Sequence, residues 1–76
     1  MNYQMSTFVV ESHQEKLERH LLESAILDHE QLSVAKRLQT RQEGPLLMIL
    51  LQLSFIDIKQ FSRLLDWTVR TKLESF

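Results

Sequence analysis

Cysteine is absent from this chain, and glycine and proline occur once each in 76 residues. Without cysteine there are no disulfides and no thiolate metal sites. So few helix breakers argue against disorder and against a turn-rich all-β fold. An excess of one charge is also missing. Nine basic residues face ten acidic ones, for a formal net charge of −1, whereas a dedicated nucleic-acid binder shows a basic surplus. Long apolar runs are lacking too. Leu46 to Leu51, with Leu53, Phe55 and Ile56 close behind, falls far short of the roughly 20 residues that a membrane-spanning helix needs. Met1 to Val10 has no cationic region and no long apolar core. No secretory signal is therefore expected there, and the cytoplasm is the expected compartment.

What remains is one small domain. A chain this short buries little core and is marginally stable alone. With disulfides excluded, it depends on good helix packing, self-association or docking onto a partner.

The Gly44-Pro45 pair divides the chain. Glycine suits the position just after a helix, and proline suits the first turn of the next. Three capping patterns mark other helix starts: Ser12 with Glu15, Asp28 with Gln31 and Asp57 with Gln60. In each, the cap oxygen can accept from a first-turn backbone N–H while the Glu or Gln reaches back. These signals predict helices over Ser12–Ser24, Asp28–Gln42, Pro45–Leu53 and Asp57–Glu74. Helical spacing gives stripes at Leu17, Leu21 and Ala25, at Leu32, Ala35 and Leu38, and at Ile58, Phe61, Leu64, Leu65 and Thr68. The third helix is apolar nearly all round and belongs at the centre or in an interface. Residues 1–11 form an N-terminal arm, in which Phe8-Val9-Val10 packs, extends the first helix or frays. Residues 12–76 form the helical domain.

The chain partly matches itself at an offset of 29 residues. Leu17 falls on Leu46, Leu21 on Leu50, Leu22 on Leu51, Asp28 on Asp57, Gln31 on Gln60 and Ser33 on Ser62. Ile26-Leu27 falls on Phe55-Ile56. Each half reads as a short helix, an apolar pair that tucks the turn against the core, an Asp cap and a longer helix. The expected fold is therefore all-α: four short helices forming two pseudo-symmetric hairpins, with repeats at about 17–39 and 46–68.

This pattern resembles the N-terminal domain of type II secretion and type IV pilus assembly ATPases. In its MshE-type version, tandem copies bind cyclic di-GMP. The stretch Glu43-Gly44-Pro45-Leu46-Leu47-Met48-Ile49-Leu50, followed by Asp66-Trp67, is similar to a group of small cyanobacterial proteins of uncharacterised function. These read Gly-Pro-Leu-x-Met-Ile-Leu, then an apolar pair with a cap, and end near Asp-Trp. The resemblance covers residues 15–69 and implies a cyanobacterial setting. One departure bears on ligands. The nucleotide-binding repeats open with Leu-Gly and carry a second Gly before the apolar pair, letting backbone approach the ligand. Here Glu18 and Leu47 stand at the first position, and Ala25 and Ser54 at the second. Their side chains argue against cyclic di-GMP, and were it bound, Arg19, Gln39 and Arg41 would be the candidate contacts.

No catalytic arrangement emerges. His13 and His20 share a helix face but lie about 10 Å apart along the axis, too far for one metal ion. His29 opens the next helix, and solvent-facing histidines are the simpler reading. Ser24, Ser33, Ser54 and Ser62 lack a Gly-x-Ser-x-Gly context, and no phosphate-binding glycine loop is present. No enzyme activity and no cofactor are expected. Basic residues form two loose groups, Lys36, Arg37 and Arg41, then Lys59, Arg63, Arg70 and Lys72, which a pseudo-symmetric fold would turn to one side. Interspersed acids argue for solvated faces instead of a nucleic-acid surface.

The remaining signal is apolar excess. Leu47, Leu51 and Leu53 compete with Leu46, Met48 and Leu50 for one small core. Trp67 beside Arg63 and Arg70 has the composition of an interface hot spot, and the equal alternative is that Trp67 caps the end of the core. The expected function is a non-catalytic interaction module, a regulator or adaptor that binds another protein or itself as a homodimer. Its expected contact residues are Leu47, Leu51, Leu53, Arg63, Trp67 and Arg70.

Overall fold

The structure, a computed structural model, describes residues 12–74. The N-terminal arm expected over residues 1–11 lies outside them. The described residues form four helices: α1 (His13–Glu23), α2 (His29–Gln42), α3 (Leu46–Gln52) and α4 (Ile58–Glu74). No strand occurs among them.

All three capping boxes form. Ser12 Oγ accepts from the Glu15 N–H at 3.1 Å, and the Ser12 N–H donates to Glu15 Oε1 at 2.9 Å. Asp28 with Gln31, and Asp57 with Gln60, make the same reciprocal pair at 2.7–3.0 Å. Each cap satisfies backbone donors that the first turn leaves open. The expected helices therefore differ from the observed ones by little more than their cap residues.

At the α2–α3 junction the structure shifts the expectation by one residue. Glu43, not Gly44, takes the left-handed conformation, at φ 54. A residue before proline is steered toward extended backbone. The reversal after α2 therefore falls before Gly44. Pro45 is the cap of α3 and not its first residue.

Helix α3 is the hub. It packs against α2 on one side and α4 on the other, while α1 packs against α4. Leu46, Leu47, Ile49 and Leu50 are buried. They join Leu17, Leu21, Leu27, Leu32, Ala35, Ile56 and Leu64 in one core. This corrects the expectation that α3 leaves a patch of leucines outside. Leu47 is core, and Leu51 and Leu53 are half-buried against it. With a helix on two sides, α3 leaves only Met48 among its large apolar residues exposed.

Two stripes are corrected as well. Ala25 is exposed and lies beyond α1, in a left-handed turn. On α4, Leu64 is buried and Phe61 half-buried, but Ile58 and Leu65 face solvent. The core side of α4 runs through Trp67 instead, because α1 covers that side.

At the two interhelix turns that stand 29 residues apart, the backbone closes in a similar way. Helix α1 ends with Ala25 N–H donating to Leu22 O and Ile26 N–H to Leu21 O. Helix α3 ends with Ser54 N–H donating to Leu51 O and Phe55 N–H to Leu50 O. Both are Schellman closures around a left-handed residue. The second member of each apolar pair, Leu27 and Ile56, is buried. Beyond the turns the two hairpins are held differently. Helices α3 and α4 pack directly, and a polar bridge joins α1 to α2. Gln14 and Gln39 exchange amide hydrogen bonds at 2.9 and 2.8 Å. Gln14 also donates to Glu18 Oε2 at 3.0 Å, and Lys36 Nζ lies 3.2 Å from Glu18 Oε1. Gln39 further donates to Gly44 O at 2.9 Å, tying the network to the junction.

Candidate interaction site

Helices α1 and α4 run antiparallel. Lys16 and Arg19 share a cleft with Thr71, His20 meets Trp67, and Ile26 shares a cleft with Gln60, Arg63 and Leu64. At the middle of this seam the His20 and Trp67 rings stack, with centroids 4.3 Å apart and planes 10° from parallel. Both residues are half-buried. His20 is therefore not the solvent-facing histidine expected, although His13 and His29 are exposed. The stack stiffens Trp67 while leaving part of the indole accessible, and aromatic pairs of this geometry are worth about 0.5–1.5 kcal/mol beyond burial.

The stacked pair separates two shallow clefts. One, of about 290 Å³, is lined by His20, Ile26, Gln60, Arg63, Leu64, Trp67 and Arg70. The other, of about 270 Å³, is lined by Lys16, Arg19, His20, Glu23, Trp67 and Thr71. Four cationic side chains thus surround one aromatic platform. Glu23 lines one of the clefts, and Asp66 pairs with Arg70 at 2.6 Å. In a chain of net charge −1, the two clefts gather four of the nine basic side chains. Chemically it offers a flat apolar surface, guanidinium forks for carboxylates or phosphates, and the Gln60 amide.

The structure brings Arg63, Trp67 and Arg70 together, as their spacing on one helix suggests. Leu51 and Leu53 lie elsewhere, Leu53 lining a cleft with Val34, Arg37, Leu38 and Arg41. Leu47 is inside the core. The candidate nucleotide contacts are not assembled: Arg19 belongs to the α1–α4 seam, Arg41 to the α2 cleft, and Gln39 is committed to Gln14 and Gly44. The two basic groups do not merge either. A further cleft, of about 370 Å³, is a one-helix surface made wholly of α2 residues, including Lys36 and Arg37. It lacks an opposing wall.

Sequence reasoning missed His20, because its partner lies 47 positions away and only the antiparallel pairing of α1 with α4 joins them. Among the described residues no three His, Asp or Glu side chains are grouped to hold a metal ion. No helix among them is long and apolar enough to cross a membrane.

A family model described as a protein of unknown function, DUF2949, matches residues 14–69, and the chain belongs to that family. The match takes in most of α1, all of α2 and α3, and α4 as far as Val69, so it includes His20, Arg63 and Trp67 and stops just short of Arg70. No curated protein and no solved structure matches the chain.

Proposed function

We propose that this member of the DUF2949 family is a non-catalytic interaction module, a small regulator or adaptor that docks another protein on the α1–α4 seam. The observation that carries this reading is Trp67, held by His20 and flanked by Arg63 and Arg70. Tryptophan and arginine dominate interface hot spots because they combine large contact area with directed hydrogen bonds. The surrounding cations favour a partner that presents carboxylates beside an apolar residue. The resemblance to small cyanobacterial proteins supplies the expected setting, a bacterial cytoplasm.

An atypical cyclic-dinucleotide module is the second reading. It is favoured by Ala25 and Ser54, which keep left-handed backbone where the nucleotide-binding repeats carry glycine. Against it, Glu18 is engaged with Lys36 and Gln14, and Arg19, Gln39 and Arg41 are dispersed. Nucleic acid is disfavoured by the balanced charge.

The test is affinity capture from native lysate with wild-type and Trp67→Ala baits, beside calorimetric titration with cyclic di-GMP. A partner held by the wild type and weakened by roughly 2 kcal/mol in Trp67→Ala, about thirtyfold, supports docking at the seam. Equal capture by both baits would refute it. Low-micromolar binding of cyclic di-GMP would favour the second reading.

A further inference from the structure

Between α2 and the end of α3 lies a cleft that docking at the α1–α4 seam does not use. It holds about 260 Å³ and is lined by Val34, Arg37, Leu38, Arg41 and Leu53. None of these residues lines the seam clefts. The four α2 residues fall within about 100° of one helix face. Leu53, the residue that closes α3, supplies the other wall. Val34, Leu38 and Leu53 are half-buried, and Arg37 and Arg41 are exposed. Leu38 and Leu53 rest on the core, so the floor is fixed and the two arginines stand at its edge.

The lining is three aliphatic residues and two arginines, with no acid. Among the described residues neither Arg37 nor Arg41 has a hydrogen bond or an ion pair. Lys36 and Arg70, by contrast, are paired with Glu18 and Asp66. Glu43, two positions past Arg41, does not line the cleft. Arg37 and Arg41 are four apart on one helix, a spacing at which like charges repel. Arg41 stands in the last turn of α2, where the carbonyl end of a helix favours a cation, but Arg37 is a turn earlier and gains little from it. A carboxylate between the two guanidinium forks would answer both charges.

We infer that this cleft is a second docking surface, which takes a segment of a partner protein carrying an aliphatic side chain close to an Asp or Glu. The aliphatic group covers Leu38 and Leu53, and the carboxylate bridges Arg37 and Arg41. That carboxylate belongs to a side chain. Capture of a chain terminus uses clustered backbone N–H groups, whereas the end of α2 presents carbonyls. A nucleic acid fits poorly, because no aromatic side chain lines the cleft to stack a base, and two cations neutralise few phosphates. The inference does not rest on docking at the seam. With both surfaces in use the chain joins two partners, as an adaptor does.

A random peptide library displayed on phage tests this. Clones selected on the wild-type chain are screened against the Arg37→Gln, Arg41→Gln double variant and against Arg63→Gln in the seam. All three positions are exposed, so helical circular dichroism should be unchanged. One group of clones should carry Asp or Glu close to Leu, Ile or Val. These should bind the double variant roughly tenfold more weakly, or worse, and bind Arg63→Gln as they bind the wild type. Synthetic peptides with the acid replaced by its amide should lose as much. If no clone is sensitive to the double variant, or if the sensitive clones lack an acid, the second surface is overturned. Clones weakened only by Arg63→Gln would leave the seam as the docking site and overturn this one. An oligothymidylate that binds the wild type more tightly than the peptides, and is lost on the double variant, would overturn the choice of a protein partner.

Discussion

Ala25 and Ser54 stand 29 positions apart and hold the same left-handed backbone, at φ 58 and φ 62. Each closes a short helix, and each is followed by an apolar pair whose second member is buried. A side chain at such φ costs about 1–2 kcal/mol, which glycine avoids, although glycine loses about 0.5–1 kcal/mol more to backbone entropy on folding. Ala25→Gly and Ser54→Gly should therefore each stabilise the domain, by up to about 1 kcal/mol, an upward shift of several degrees in Tm. Thermal melts check this. A lower Tm for either variant would mean that its turn is not left-handed.

Gly44 leads to the opposite expectation. It has no positive φ, and a Cβ placed there would meet nothing nearer than Ile49 Cδ1 at 4.0 Å. Replacing glycine where alanine fits stabilises chiefly by restricting the unfolded chain. Gly44→Ala should be neutral or stabilising by about 0.4–1 kcal/mol in urea unfolding. A clear loss would show that the junction after Glu43 needs glycine after all.

The paired amides of Gln14 and Gln39 bridge α1 and α2. Both side chains are partly buried, so removing one leaves the other unsatisfied, which costs more than the bond itself contributes. A double-mutant cycle of Gln14→Ala and Gln39→Ala should give a coupling of about 1 kcal/mol. Strictly additive losses would mean that the two amides act independently in solution.

Trp67 is the chain's one tryptophan, so its emission reports on the seam without labelling. His20→Ala removes the ring that covers one indole face. The emission should move to longer wavelength and iodide quenching should rise, with the helical signal kept. An unchanged spectrum would place His20 away from Trp67 in solution.

The sequence by itself determined the parts of this protein that are decided within a few residues. The capping boxes at Ser12, Asp28 and Asp57, the break at Gly44-Pro45 and the buried roles of Leu27 and Ile56 were legible. Each depends on a hydrogen bond or an apolar anchor close by in the chain. The tertiary structure alone decided which faces meet. Helix α4 carries apolar residues on two sides, Leu64 on one and Ile58, Leu65 and Val69 on the other, and periodicity cannot choose between them. Docking of α1 made the choice, drawing Trp67 inward to His20 and leaving Leu65 outside. The same logic took Leu47 into the core, since α3 has a helix on each of two sides. Local bonds set where helices begin and end, but burial is a sum over distant contacts, and only the packed chain settles that sum.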